Sequence, residues 1–422
     1  MILSLYKIAI TLATPFVALW LAMSARRRPL LARLRPPPAL NFDTPPIWVH
    51  ACSVGEVNTA RPILEALQRR WPETPRLITV STPAAMALVQ DSRLPAHAAW
   101  FPFDNPFLVS KFLHRLRPKA LLLIETELWP CVITQTHATG APVILVNGRL
   151  SDTRAASYRR FSAFFRPAIR CITSAGMQNE RYAKRLQRLG ADPASVKVTG
   201  NTKFDSAPAR LSGEERATLR TALRIPPEAP VLVFGSTRPG DEALAAQCWE
   251  RLQARLPGLV LIVAPRHLER LPEAREAFKG PPPILRSELD TAGSGISHGG
   301  IILLDTHGEL SRIYAIATVA VVGGSFYPGV DGHNPIEPAA QGIPTVFGPY
   351  MRNFQDAADA LLAQDGAVRV DSAGALHTEL DSLLNDSGAR ARLGENASRT
   401  VLENRGATER TLELIEKALG QS

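Results

Sequence analysis

Two sets of short apolar runs, with amphipathic segments between many of them, predict an α/β fold of two Rossmann-like domains. A third observation, an uncharged apolar stretch near the start, predicts a helix at a membrane. The first set of runs falls at residues 47–51, 77–80, 121–124, 143–146 and 171–174, with helical segments such as 57–70 and 178–189 between them. Strands that alternate with helices build parallel sheets. The Pro-containing stretch FDSAPARLSGEE (204–215) interrupts the rhythm. It then restarts with VLVFGS (231–236), LVLIVAP (259–265), GIILLD (300–305), VAVVGG (319–324) and PTVFGP (344–349). The expected division is an anchor helix over 1–28, a first domain over 29–207 and a second over 208–422. The last helix is free to pack back on the first domain, and the active cleft is expected between the two.

Composition narrows the function classes. At 422 residues the chain holds at least two domains. Its 45% hydrophobic and 21% charged residues exclude wholesale disorder. Aromatics at 6% argue against a nucleic-acid surface built on base stacking. The net charge of +9, from 48 basic and 39 acidic residues, suits phosphorylated ligands, nucleic acid or an anionic membrane face. The basic clusters Arg26-Arg27-Arg28, Arg69-Arg70 and Arg159-Arg160 read as scattered, and a solvated surface explains each alone. Cys52, Cys131, Cys171 and Cys248 show no metal-ligand spacing, which argues against a zinc site or disulfide framework and suits a reducing compartment.

Residues 8–23 carry no charge. Counted back through Lys7, which can snorkel, the stretch approaches the ~20 residues that cross a bilayer. A signal peptide puts its positive charge before the apolar core. Here Arg26-Arg27-Arg28 follow it, which by the positive-inside rule leaves the rest of the chain in the cytoplasm. A buried or interfacial helix is the other reading. A Pro-rich linker, RPPPALNFDTPP (35–46), follows.

Ligands of open α/β sheets gather beyond the carboxyl ends of strands, so the motifs there matter most. HACSVGE (50–56) puts Glu56 in the first turn of a helix. A charge that complements the helix dipole is the structural reading, and a carboxylate facing a cleft the functional one. In ETELWP (125–130) Glu125 and Glu127 follow a buried strand one residue apart. Extended backbone would point them to opposite faces. In VTGNTKFD (198–205) Lys203 is placed to neutralise developing negative charge, or is a surface charge.

The second half reads as a nucleotide site. FGSTRPGDE (234–242) offers backbone N–H groups and hydroxyls to a phosphate. Arg266 in APRH (264–267) offers a matching fork. DTHGEL (305–310) puts Gly308-Glu309 at a strand-to-helix turn, and GGSF (323–326) follows another strand. In GHNPIEPAA (332–340) Asn334 caps a helix, Pro335 takes its first position and Glu337 its first turn, suited to ribose hydroxyls. Neither G-x-G-x-x-G nor GxxxxGK[ST] occurs, which disfavours NAD enzymes and P-loop NTPases. The motifs contain no tight Asp-x-Asp, which argues against a metal that holds a diphosphate.

In this order the motifs resemble the membrane-anchored Kdo transferases, which move 3-deoxy-D-manno-octulosonic acid (Kdo) from CMP-Kdo onto lipid A precursor in Gram-negative bacteria. The resemblance runs through HACSVGE, ETELWP, NGRLS (147–151), GNTKFD, APRHLER, DTHGEL, GHNPIEPAA and GPYMRNF (348–354). It implies a GT-B-type fold with the acceptor in the N-terminal domain and CMP in the C-terminal domain. It also implies an inner-membrane enzyme that faces the cytoplasm, and an inverting transfer to lipid A precursor (lipid IVA). By motif, Glu56 is expected as general base, with Glu125 and Lys203 as the pair that stabilises the transition state. Pro265, Arg266, His307, Gly308, Glu309, Asn334, Pro335, Ile336 and Glu337 are the expected CMP contacts. No metal, cofactor, nucleic acid or protein partner is expected. Rival readings are a UDP-sugar transferase or epimerase, and a nucleotide-binding protein without catalysis.

The chain departs from the family pattern in places. STRPGDE (236–242) stands where STHEGEE is usual, Asp331 where GGHN has its first glycine, and His307 where methionine precedes Gly-Glu. Ser81-Thr82-Pro83-Ala84-Ala85 replaces a Thr-Pro-Thr-Gly turn, and the ERLG-like segment after Arg35 is missing. Asp331 exchanges a flexible residue for a charge near the expected phosphate.

Overall fold

Among the residues that the computed structural model describes (2–35, 42–290, 296 and 299–420), fourteen strands make two parallel sheets of seven. The first sheet holds β1 (Ile47–His50), β2 (Arg76–Val80), β3 (His97–Trp100), β4 (Ala120–Ile124), β5 (Val143–Gly148), β6 (Ser174–Met177) and β7 (Val196–Val198) in the order β3-β2-β1-β4-β5-β6-β7. The second holds β8 (Val231–Thr237), β9 (Val260–Pro265), β10 (Ile284–Leu285), β11 (Gly300–Leu303), β12 (Val319–Val322), β13 (Thr345–Phe347) and β14 (Ala367–Arg369) in the order β10-β11-β9-β8-β12-β13-β14. Each order reverses once, between β1 and β4 and between β8 and β12. That reversal is the switch point where the loops at the strand ends diverge and open a crevice.

The sequence runs found the inner strands because helices cover both of their faces. Leu121, Leu122 and Leu123 of β4 are all fully buried, and a strand covered on both sides reads as a continuous apolar run. The four strands that the runs miss, β3, β7, β10 and β14, are the four sheet edges. The VKV of β7 has two of its three residues exposed and the IL of β10 is only half-buried. Their pairing comes from the neighbouring strand, not from local hydrophobicity. The run placed at 171–174 is the approach to β6, which lies three residues later. Of the Pro-rich stretch 35–46, residues 36–41 lie outside the described part.

The chain divides into two compact units, Met1–Ser206 with Asn404–Ser422, and Ala207–Glu403. The C-terminal helix Ala407–Ala418 belongs to the first unit. Its Leu412, Leu414 and Ile415 join the apolar layer of Val49, Ile63 and Leu64. Asp205 fixes where that helix begins, since its carboxylate accepts the Gly406 N–H at 2.7 Å and the Thr408 N–H at 2.5 Å. Asp205, the last residue of the GNTKFD motif, is thus a helix clamp.

The N-terminal helix, Ile2–Ala22, rests on the same unit. The Tyr6 hydroxyl donates to Asp104 at 2.8 Å, and Asn105 Nδ2 donates to Thr14 Oγ1 at 2.9 Å. Leu5, Ile8, Leu12, Phe16 and Leu19 are exposed. Their spacing of three and four residues places them on one face of a helix. The helix therefore has a docked polar seam and a free apolar face.

Candidate active site

In the first unit the site begins where β1 turns into the helix Val54–Arg70. Ser53 is extended and caps that helix by accepting the Glu56 N–H at 3.4 Å. This cap sets Glu56 in the third helical position, from which its side chain folds back. Glu56 Oε2 accepts the Cys52 N–H at 2.6 Å, and Ser53 Oγ donates to Oε1 at 3.4 Å. At 9% exposure the carboxyl is nearly closed off, yet its neighbours are polar. Burial first, then the charges of Glu127 and Glu125, push Glu56 up to about 8 against its two hydrogen bonds. The helix-dipole reading is physically met: the N-terminal turn holds the carboxyl, and its surroundings hold its proton.

Glu125 and Glu127 do not point to opposite faces as extended backbone would require. Glu125 follows β4 with φ +60°, in the left-handed region, so the backbone is not extended there, and the charges of both carboxylates act on Glu56. A non-glycine residue held there stores strain of about 1–3 kcal/mol, a feature that clusters at functional positions. Lys203 Nζ meets Glu125 Oε1 at 3.8 Å. Asn147, itself at φ +53°, supports this contact by accepting the Thr202 N–H at 3.0 Å. The structure thus brings Glu56, Glu125 and Lys203 into one cluster.

Further side chains complete it. The Glu127 carboxylate accepts the Trp129 indole N–H at 3.1 Å. Burial raises the Glu127 proton affinity, while Arg154, Trp129 and Arg33 hold it down. Arg33 reaches the cluster from the segment Arg28–Leu34 and donates Nε to the Phe101 carbonyl at 3.0 Å. Arg154 Nη1 reaches the Thr126 carbonyl at 3.5 Å. Ligand atoms of Cys52, Glu56 and Glu127 lie within 4.8 Å of one another. The Cys52 thiol, pushed up to about 11 by burial and then by Glu127 and Glu56, holds its proton at neutral pH.

In the second unit the motifs gather at the ends of β8, β9, β11 and β12. The turn after β8 does not offer its donors to a ligand as expected. Asp241 Oδ2 accepts the Arg238 N–H at 2.9 Å and the Gly324 N–H at 2.6 Å, and the Thr237 hydroxyl donates to Glu242 at 2.9 Å. Glu242 in turn is gripped at 2.9 and 3.2 Å by Arg270. These buried carboxylates take two of the donors that the sequence assigned to phosphate, the Arg238 N–H and the Thr237 hydroxyl. GGSF is structural too, since Ser325 Oγ donates to the Val322 carbonyl at 2.6 Å and accepts the Gly348 N–H at 2.9 Å.

What the turn supplies is a side chain. Arg238 Nε donates to His333 Nε2 at 3.2 Å, which makes Nε2 the unprotonated nitrogen. Burial, then Arg238, Arg266 and His267, lower His333 to about 4. The charges of Arg238 and Arg266 thus converge on His333, a local excess of positive charge that suits an anion. Arg266 is exposed just past β9, where Pro265 ends the strand, and its backbone N–H donates to Thr237 at 3.1 Å.

Asn334 Oδ1 accepts the Ile336 N–H at 3.0 Å and its Nδ2 donates to Glu337 Oε1 at 3.1 Å. The short helix starts at Ile336, so Pro335 is its cap and not its first residue. Burial raises Glu337, opposed by Asn334 and the Arg266 charge. Glu309 is held by Arg286 at 3.4 Å and by the Thr306 hydroxyl, beside Gly308 at φ +82° and the exposed His307. Sequence reasoning singled out neither Arg238 nor His333 as ligand contacts. The STRPGDE departure was the available signal for Arg238.

A family model described as 3-deoxy-D-manno-octulosonic-acid transferase (kdotransferase) matches residues 25–206. A 3-deoxy-D-manno-octulosonic acid transferase of Haemophilus influenzae is 32% identical over 386 residues, 90% of this chain and 89% of that protein. One of Bordetella pertussis is 33% identical over 98% of this chain and 99% of the relative. The chain belongs to the 3-deoxy-D-manno-octulosonic acid transferase family. As a member of this Kdo transferase family it is a glycosyltransferase. A glycosyltransferase structure from Rickettsia africae covers 90% of this chain at TM-score 0.59 and 13% identity. A UDP-GlcNAc 2-epimerase from Neisseria meningitidis covers 89% at TM-score 0.59 and 13% identity. Identities this low speak for the fold alone, which is GT-B.

Proposed function

We propose that this Kdo transferase moves Kdo from CMP-Kdo to a hydroxyl of lipid A precursor, lipid IVA, in lipopolysaccharide synthesis, by direct inverting displacement with Glu56 as general base. The observation that carries the reading is a carboxyl pushed up to about 8, set in a polar cluster with an ion-paired lysine. A base with a pKa near the working pH best combines availability with proton affinity.

The steps balance on this chain's residues. Ionised Glu56 accepts the proton of the acceptor hydroxyl. As that oxygen bonds to the anomeric carbon, the bond from that carbon to the CMP phosphate oxygen breaks, and CMP leaves with the electron pair. Glu125 and Lys203 stabilise the transition state. Arg266, with Pro265, His307, Gly308, Glu309, Asn334, Pro335, Ile336 and Glu337, holds CMP, and Arg238 beside Arg266 adds charge against its phosphate. A single base carboxylate suffices, and no covalent glycosyl-enzyme forms. No metal or other cofactor takes part, and neither nucleic acid nor a protein partner is required.

The same reading places the enzyme on the cytoplasmic side of the bacterial inner membrane. Support comes from the apolar face of Ile2–Ala22 and from Arg26, Arg27 and Arg28, which follow it. Tyr6 and Thr14, about 12 Å apart along the helix axis, are both hydrogen-bonded to the first unit. This favours a helix lying in the interface over one that crosses it.

Donor choice tests the reading. Purified protein given lipid IVA with either CMP-Kdo or a UDP-sugar should consume only CMP-Kdo, with a product heavier by one Kdo residue or more. Consumption of the UDP-sugar with CMP-Kdo left intact would contradict it.

A further inference from the structure

The basic residues that look scattered along the sequence are concentrated in one segment. Residues 149–188 hold ten Lys/Arg and two Asp/Glu, a net +8 against +9 for the whole chain. The helices Asp152–Arg160 and Glu180–Arg188 in this segment line a cleft of about 490 Å³, with Asp152, Arg159, Arg181, Lys184, Arg185 and Arg188 at its wall. We propose that this cleft is a subsite for a phosphate group carried by the lipid acceptor. The inference rests on the function proposed above and identifies a second contact for that substrate.

Part of the cleft is built and part is open. Arg185 is fixed by Asp152 and by the Leu150 carbonyl, to which Nη1 donates at 2.7 Å. Beneath it the buried Tyr182 ring lies 5.6 Å from the Arg185 guanidinium and 5.3 Å from that of Arg181. Among the described residues no carboxylate pairs with the exposed Arg159, Lys184 or Arg188. The dipoles of the two helices favour a cation in each last turn, but they do not require both helices to deliver theirs into one cleft. Cations gathered without counter-charge repel one another, and a phosphate dianion converts that repulsion into charge-assisted hydrogen bonds.

Position selects the acceptor. Arg154, whose charge acts on Glu127, lies on the same helix as Arg159 and five residues before it, about 7–8 Å along the axis. One helix thus joins the neighbourhood of Glu127 to the cleft wall, and a lipid sugar with its hydroxyl at Glu56 would lie beside that helix. The next helix, Ser162–Ile169, meets the N-terminal helix through Phe164 and Tyr6, whose rings are 4.9 Å apart. The cleft is thus on the flank of the unit that carries the N-terminal helix and its free apolar face.

The test uses the full chain in detergent with CMP-Kdo and either phosphorylated lipid IVA or the same lipid treated with phosphatase. R159A/R188A should raise the acceptor KM about tenfold to a hundredfold, with kcat and the KM for CMP-Kdo within about twofold of wild type. R159K/R188K, which keeps the charge, should restore most of the affinity. On the dephosphorylated lipid wild type and R159A/R188A should become equal. An unchanged acceptor KM overturns the proposal, and so does an equal loss on both lipids. Reduced binding to phosphatidylglycerol vesicles with normal acceptor KM also overturns it, because the cleft would then hold bulk lipid. If wild type makes no product with phosphorylated lipid, the function proposed above falls, and this inference falls with it.

Discussion

Ligand atoms of Glu127 and Glu56 lie within 4.8 Å of each other, and the charge of Glu127 is the largest electrostatic reason that Glu56 keeps its proton up to about pH 8. The pair links the fold to the rate, since only ionised Glu56 can accept a proton. Transfer by wild type should rise about tenfold per pH unit and level off near 8. E127Q removes one of the two raising charges and should move that inflection down. A rate that is flat from pH 6 to 9, or an inflection that E127Q leaves in place, would refute the coupling.

The same shift makes a stability prediction. Glu56 has a folded pKa above its ordinary 4.5, so the folded state binds the proton more tightly. Its contribution is fully present below about 4.5 and is lost as pH rises through about 8. E56Q should therefore melt above wild type at pH 8.5, by about 2–4 °C for each kcal/mol relieved, and close to it at pH 4.5. Equal melting temperatures at both values would show that the folded protein does not destabilise the ionised carboxylate.

Much of this architecture can be read in the sequence, for physical reasons that also mark where reading stops. Runs such as LLLI in β4 are legible because burial on both faces demands apolar residues throughout. The VKV of edge strand β7 has no such demand and is found only by its pairing with β6. At the site, Glu56 and Lys203 stand in local motifs. Arg33 and Arg154 are invisible there, because their relation to Glu127 spans long stretches of chain. The direction of Glu125 was misread because a single left-handed residue is not encoded by a residue type that announces it. The FGSTRPGDE turn was legible only in part: Asp241, inside the motif, takes the Arg238 N–H for the fold, which the run of small residues did not announce.

Asp331 tests the loop departure. It sits at φ +66° before Gly332 at +77°, with Arg352 at 3.7 Å from its carboxylate. Aspartate tolerates this region, glycine prefers it, and a β-branched residue does not. D331V should unfold about 1–3 kcal/mol more readily than D331G in urea titrations. Equal midpoints for the two variants would show that the loop relaxes out of the left-handed region.

Gly235 tests the CMP contacts proposed for the second unit. A Cβ there would lie 1.8 Å from Tyr314 Oη, and Glu337 is the neighbouring charge that raises this phenol further after burial. G235A must displace Tyr314, on which the Glu337 charge acts, at about 1–3 kcal/mol for the overpacking. CMP binding by calorimetry should weaken, while the first unit, with Glu56, is untouched. Unchanged CMP affinity would detach Glu337 from the ligand.

Chelation checks the proposed absence of a metal. Cys52, Glu56 and Glu127 could serve as a ligand trio, yet the protonated thiol and carboxyl disfavour a cation at neutral pH. Dialysis against EDTA should leave the rate unchanged. Loss of activity that a divalent cation restores would reassign the trio.

The most direct measurement of the central claim compares E56Q with wild type at pH 8, with CMP-Kdo and lipid IVA, reading product by mass and CMP binding by calorimetry. A general base at this position predicts turnover lower by roughly 10²–10⁴ with CMP affinity unchanged. Turnover by E56Q within about threefold of wild type would contradict it.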